Sequence, residues 1–178
     1  MDYIDLYLLH WPNEDIDHRY VLDELLEAKS EWLIRKIWVS NFTIDYLDEA
    51  IDHTEWQIFT NQLEHHVYLW IPNIREFMYD NNIALTAYSP LARWRILHDD
   101  TLKDIADKHN VPVVSVALSR IQQESNWIVI PKSSKPEHIE DNLKINTFVL
   151  DDEDMDRINN LPKNQREIDP PFAPIRDD

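Results

Sequence analysis

A chain of 178 residues, 43% of them hydrophobic, has the length of one domain or a large piece of one, with enough apolar side chains for a sizeable core. Its 34 acidic residues against 17 basic ones give a net charge of −17, a field that repels nucleic-acid phosphates and anionic membranes. No cysteine is present, which excludes disulfides, thiolate chemistry and cysteine-type zinc sites, and no apolar stretch or leader pattern points to a membrane or secretion, so cytoplasmic residence is expected.

Tyr3–Leu9 reads as a strand from its apolar run, and Val21–Lys29 as a helix whose apolar face carries Val21, Leu22, Leu25 and Leu26. Leu33–Val39 is the next strand. Thr43 suits the N-cap of a helix with Ile44, Leu47, Ala50 and Ile51 on its buried face. Strand Gln57–Asn61, helix Asn73–Tyr79 and strand Ile83–Ala87 follow. After a long connection, Thr101–Lys108 and Val114–Gln123 read as helices, the second entered through Pro112. Trp127–Ile130 is the fifth strand. Ser134-Lys-Pro-Glu137 has a capping-box pattern for another helix, and Asp151–Leu161 is a short helix whose acidic first turn suits the macrodipole. Residues 1–161 are therefore expected to form the folded part and 162–178 an extended, proline-rich tail.

Glycine is absent, although about 7% is usual, while tryptophan occurs seven times. Trp11 fits its Leu9-His-Trp-Pro12 surroundings. The other six stand where chains turn on glycine: Trp32 and Trp127 between a helix and a strand, Trp56, Trp70 and Trp94 in connections, and Trp38 inside a strand. The expectation is that these six are glycine codons read as tryptophan, as when UGA means glycine in the source and is translated under a code where it means tryptophan. Their codons decide it, since UGG at these sites rules the explanation out.

Strands alternating with helices imply a parallel α/β sheet, either doubly wound or part of a (β/α)₈ barrel. Polar residues gather just past the strand ends: His10, Ser40-Asn41, Asn61-Gln62, Tyr88-Ser89 and Lys132-Ser133. Ligands bind at that edge in both architectures. Ser40, Asn41 and Gln62 carry hydroxyl and amide groups able to pair with a carboxamide. Lys132, Ser133 and Ser134 lie before a helix N-terminus, a site for an anion such as a phosphate. His65-His66 is not expected to bind metal, because adjacent strand residues face opposite ways and no third ligand is placed by spacing.

In this order, Asp2-Tyr-Ile-Asp-Leu-Tyr-Leu-Leu-His-Trp-Pro12, Val39-Ser-Asn-Phe42, Asn61-Gln-Leu-Glu64, Ala87-Tyr-Ser-Pro-Leu-Ala92 and Ile130-Pro-Lys-Ser-Ser134 resemble strands four to eight of the aldo-keto reductases. The resemblance implies an α/β fold: a partial (β/α)₈ TIM barrel of five parallel strands, lacking the first three βα units. It implies reduction of aldehydes or ketones with NADPH, NADH being the alternative, and a small carbonyl substrate. Neither nucleic acid nor membrane is a partner in this reading, and the full-length protein is expected to be a monomer. His10 matches the catalytic histidine that orients the carbonyl. The family's aspartate, tyrosine and lysine would lie in the missing segment, so this chain is expected to be inactive on its own.

By the same resemblance Ser40, Asn41 and Gln62 hold the nicotinamide and Tyr88 stacks on it. Ser89, Leu91 and Ala92 contact the pyrophosphate, partly through backbone N–H groups. Lys132, Ser133 and Ser134 hold the ribose phosphate and Asn142 contacts the adenine. His138 stands where many members have arginine, which weakens the grip on that phosphate. The family usually has glycine at the positions of Trp38 and Trp94, and commonly near Trp32 and Trp127. The alternative function is a non-catalytic module that binds nicotinamide nucleotides on the same scaffold.

Overall fold

The computed structural model describes residues 2–123 and 127–176. Met1, residues 124–126 ahead of Trp127, and the last two residues of the tail lie outside the described residues. The elements run β1 Ile4–Leu9, α1 His18–Ser30, β2 Ile34–Ser40, α2 Ile44–His53, β3 Ile58–Glu64, α3 Pro72–Asp80 and β4 Ala84–Tyr88. A 3₁₀ segment Ala92–His98 leads to α4 Asp100–His109, α5 Val113–Gln122, β5 Trp127–Val129, α6 Pro136–Leu143 and α7 Asp152–Asn159. The strands form one sheet in chain order. β1 pairs parallel to β2 with Leu9 opposite Val39, and β2 pairs parallel to β3 with Ser40 opposite Gln62. Among the described residues no helix is long and apolar enough to cross a membrane.

The chain divides into two compact units, one of residues 1–63, 71–86 and 169–178, the other of 64–70 and 87–168. In the first, Leu22, Ile37, Val39 and Leu47 are fully buried, so the apolar stripes of α1 and α2 and one face of β2 supply the core. In the second, Val67, Leu102, Ile105, Leu118 and Ile158 belong to one buried cluster. Helix α5 sits deepest there: every residue from Val114 to Ile121 is buried, which explains its near-continuous apolar sequence.

Helix ends obey local chemistry. Thr43 caps α2 as expected, its hydroxyl accepting the Tyr46 N–H at 3.4 Å. Thr43→Ala is expected to lower stability by about 1 kcal/mol, and an unchanged thermal midpoint would show that the cap contributes nothing. The capping box expected from Ser134 to Glu137 does not form. Helix α6 is entered through Lys135 with no side-chain cap, because Ser133 Oγ instead accepts the Lys135 N–H at 3.1 Å. A true capping box closes α7, where Asp151 and Asp154 each accept the other's backbone N–H. Strand β3 runs to Glu64, three residues beyond the expected end, because Gln62, Leu63 and Glu64 are all buried and the usual alternation is lost.

Three of the six suspect tryptophans hold left-handed backbone: Trp32 at φ 64°, Trp56 at 66° and Trp94 at 73°. After α1, the N–H of Trp32 reaches Lys29 O at 3.1 Å and that of Leu33 reaches Ala28 O at 2.9 Å, a Schellman pair. The same pair of bonds ends α3 at Asn82 and α4 at Asn110. At those two ends the left-handed residue is asparagine, which tolerates that conformation; at α1 it is an indole-bearing residue that does not. Trp38, Trp70 and Trp127 have no positive φ, so backbone geometry does not single them out. The pairing of β2 with β3 shifts register between Ile37 and Trp38, and Trp38 Nε1 is buried without a hydrogen-bond partner, signs of a side chain that fits its place poorly.

Candidate functional site

In the first unit, the parallel register brings the ends of β1, β2 and β3 level. Ser40 Oγ donates to the Gln62 carbonyl at 2.9 Å and accepts from Asn41 Nδ2 at 2.9 Å. The same Nδ2 donates to the His10 carbonyl at 3.3 Å. Asn41 holds left-handed backbone at φ 60°, with its N–H on the Gln62 carbonyl at 2.9 Å. This chain of bonds joins His10, Ser40, Asn41 and Gln62 at the strand ends. Ser40, Asn41 and Gln62 are buried and His10 is exposed. The imidazole of His10 and the side-chain amide of Gln62 keep their polar atoms unengaged among the described residues, so both remain open to a ligand.

In the second unit, a cleft of about 460 Å³ is lined by Ser89, Leu91, Lys132, Ser133, Ser134 and His138 among others. Arg93 and Lys135 also face it, and among the described residues no aspartate or glutamate does. Lys132 pairs with no carboxylate among the described residues. In a chain with twice as many acids as bases, a cavity bordered by three cations and three serines is a place where a multiply charged anion is stabilised. Beside it lies a cavity of about 320 Å³, mostly apolar, lined by Leu97, Pro112, Val113, Val114, Asp141 and Asn142. Trp94 and His138 line both, their rings 6.0 Å apart.

Nine residues read from the sequence belong to this unit, and the structure sorts them. Ser89, Leu91, Lys132, Ser133, Ser134 and His138 border the larger cavity, and Asn142 the smaller. Tyr88 and Ala92 border neither. The Ala92 N–H, expected to face a pyrophosphate, is instead taken up inside the turn by the Ser89 carbonyl at 2.9 Å. Arg93 and Lys135 were missed, along with Leu97 and Val113. Arg93 had no signal because its connection gave no periodicity, whereas Lys135 could have been found from its place beside the Lys-Ser-Ser run.

The second unit also carries a buried ionic cluster. Glu64 and His66 side chains are fully buried, His66 Nε2 lying 3.1 Å from Glu64 Oε1. His66 Nδ1 accepts the Tyr68 N–H at 3.3 Å, which leaves Nε2 as the donor to Glu64. The carboxylate also accepts the N–H of Glu167 at 2.6 Å and of Ile168 at 2.9 Å. Burial pushes the Glu64 carboxyl up, but the bonds from His66, Glu167 and Ile168 outweigh it and hold it below the ordinary glutamate range.

The aldo/keto reductase family profile matches residues 1–163. Aldose reductase B of Dictyostelium discoideum is 36% identical over 96% of this chain, glyoxal reductase of Bacillus subtilis (strain 168) 37% over 93%, and methylglyoxal reductase DkgB of Escherichia coli O157:H7 38% over 95%. The chain spans 63%, 59% and 64% of the lengths of these three relatives. Among solved structures, a protein assigned as a 2,5-diketo-D-gluconic acid reductase B superimposes with a TM-score of 0.96 at 29% identity, over 100% of this chain and 64% of its own. A variant of Gox0644 in complex with NADPH superimposes with a TM-score of 0.89 at 32% identity, over 98% of this chain and 65% of its own.

Proposed function

Because the chain belongs to the aldo/keto reductase family, we propose that it supplies the carbonyl-orienting and coenzyme-holding residues of an NAD(P)H-dependent reductase of aldehydes or ketones. The observation that carries this reading is the cation-and-serine cleft around Lys132, Ser133 and Ser134, free of carboxylates in an acidic chain. A pyridine dinucleotide has two chemically distinct ends, and this chain has a donor set suited to each. Gln62, whose backbone carbonyl accepts from Ser40 and Asn41, carries a side-chain amide that matches a carboxamide able both to donate and to accept. Lys132, Ser133 and Ser134 match a phosphate, and NADPH is favoured over NADH because it carries one more. His138 contributes less than an arginine would. Tyr88 would present its ring face to the nicotinamide, and Ser89 and Leu91 would border the pyrophosphate.

When bound, the reduced nicotinamide supplies a hydride to the carbonyl carbon. The part played by this chain is orientation: an N–H of the His10 imidazole donates to the carbonyl oxygen and draws charge toward it. None of the matched motifs contains the family's aspartate, tyrosine and lysine. Reduction is therefore proposed for a polypeptide that carries those three, and the 178 residues alone are expected to bind without turnover.

Lys132→Ala separates the two coenzymes. A phosphate held by a lysine and two hydroxyls loses its charge-assisted contact, so the dissociation constant for NADPH is expected to rise roughly tenfold while that for NADH changes little. Titration calorimetry with both nucleotides checks it. Equal changes for the two would remove the assignment of Lys132 to the extra phosphate.

A further inference from the structure

The two cavities of the second unit are complementary in chemistry: one cationic and hydroxyl-lined, the other apolar with Asn142 at its wall. Together they match a ligand with a multiply charged anionic part and a flat heteroaromatic ring, yet they are two spaces. Two residues border both, Trp94 and His138, and the indole packs against the imidazole. Trp94 is also the last of three consecutive left-handed residues, Ala92 at φ 44°, Arg93 at 48° and Trp94 at 73°. Its N–H is fixed to the Leu91 carbonyl at 2.9 Å, so the backbone that carries the indole is held in the turn. A β-carbon at such a φ costs about 1–2 kcal/mol, and glycine alone adopts it freely. The indole remains 41% exposed, so burial returns only part of that cost.

We propose that Trp94 is a barrier that divides one nucleotide groove into two, and that the groove takes a dinucleotide tightly only when the indole at 94 is removed. Position 94 is then the determinant of coenzyme occupancy in this chain, ahead of any contact made by Lys132 or Asn142. The identity of the ligand rests on the coenzyme reading above; the partition itself rests on the cavities and the backbone.

The test compares two full-length chains, W32G/W56G and W32G/W56G/W94G. The shared substitutions relieve strain at exposed positions that line neither cavity, so both chains start from a better-folded state. Titration calorimetry with NADP+ and with adenosine 2′,5′-bisphosphate is the readout, alongside circular dichroism to confirm the fold. Glycine at 94 is expected to tighten both ligands at least about tenfold. A companion W94A chain removes the indole but keeps a β-carbon in left-handed backbone, so it should gain affinity with little gain in thermal midpoint. Equally tight binding by the chains with and without Trp94 would overturn the barrier and leave the coenzyme reading intact. A folded W94G chain that binds neither ligand would overturn both.

Discussion

Replacing Trp32, Trp56 and Trp94 together by glycine is expected to stabilise the chain by about 3 kcal/mol. Each position holds a β-carbon in left-handed backbone, a conformation that costs about 1–2 kcal/mol for an ordinary residue. Glycine removes that cost and gives back part of it as extra freedom in the unfolded chain, leaving roughly 1 kcal/mol net at each site. Little burial is lost at Trp32, 82% exposed, and at Trp56, 65% exposed, while Trp94, 41% exposed, gives up more and gains least. For a chain of this size the thermal midpoint rises by roughly 6–12 °C. Trp38, Trp70 and Trp127 serve as the comparison: none has a positive φ, so glycine there gains nothing through the backbone. Asn82 and Asn110 form a second comparison, since asparagine already tolerates the conformation and its replacement by glycine should be close to neutral. Calorimetric melting of the triple variant decides the point; a midpoint equal to that of the parent would show that these turns carry no strain.

The contrast between Trp32 and Trp38 shows what composition can and cannot reveal. The ends of amphipathic helices are legible, and a residue placed just past one at a Schellman position is forced left-handed whatever its side chain. That is why Trp32 could be picked out without coordinates. Trp38 was suspected as an interruption of a strand, and there the signal is one of volume and pairing: a register shift and a buried indole nitrogen without a partner. The same distinction governs the site. His10, Ser40, Asn41 and Gln62 were visible because parallel strands end level and put polar residues on one edge. Arg93 and Leu97 were not, because they lie in an irregular segment whose three left-handed residues leave no period to read. The inward turn of the Ala92 N–H to Ser89 has a related cause: it is set by the local turn and is invisible in the residue's identity.

Least legible of all was the role of Glu64. In sequence it ends a strand motif, and nothing announces that its partners lie 103 and 104 residues further on. In the second unit its carboxylate fastens the stretch 163–168, helped by Lys163 Nζ on the Val67 carbonyl at 2.6 Å, by the Gln165 N–H on the Tyr68 carbonyl at 3.1 Å and by contacts of Arg95 with Gln165 and Glu167. Glu64→Ala is expected to destabilise the chain by roughly 3–5 kcal/mol, since His66 and two backbone N–H groups lose a buried acceptor at once. Glu64→Gln keeps the shape but puts an amide donor among N–H donors, so it should be milder and still release the stretch to proteolysis. The pH dependence has a definite sign. The folded carboxyl lies below the ordinary glutamate value, so its contribution is complete above that ordinary value and is lost as the pH falls through the lower folded one. Arg166, 4.0 Å from the carboxylate, works in the same direction by favouring the ionised form. In Glu64→Gln this acid-sensitive component is absent, so the variant and the parent should converge in stability at low pH. A variant that melts with the parent at neutral pH, and whose segment 163–168 resists protease equally, would show that the carboxylate fastens nothing.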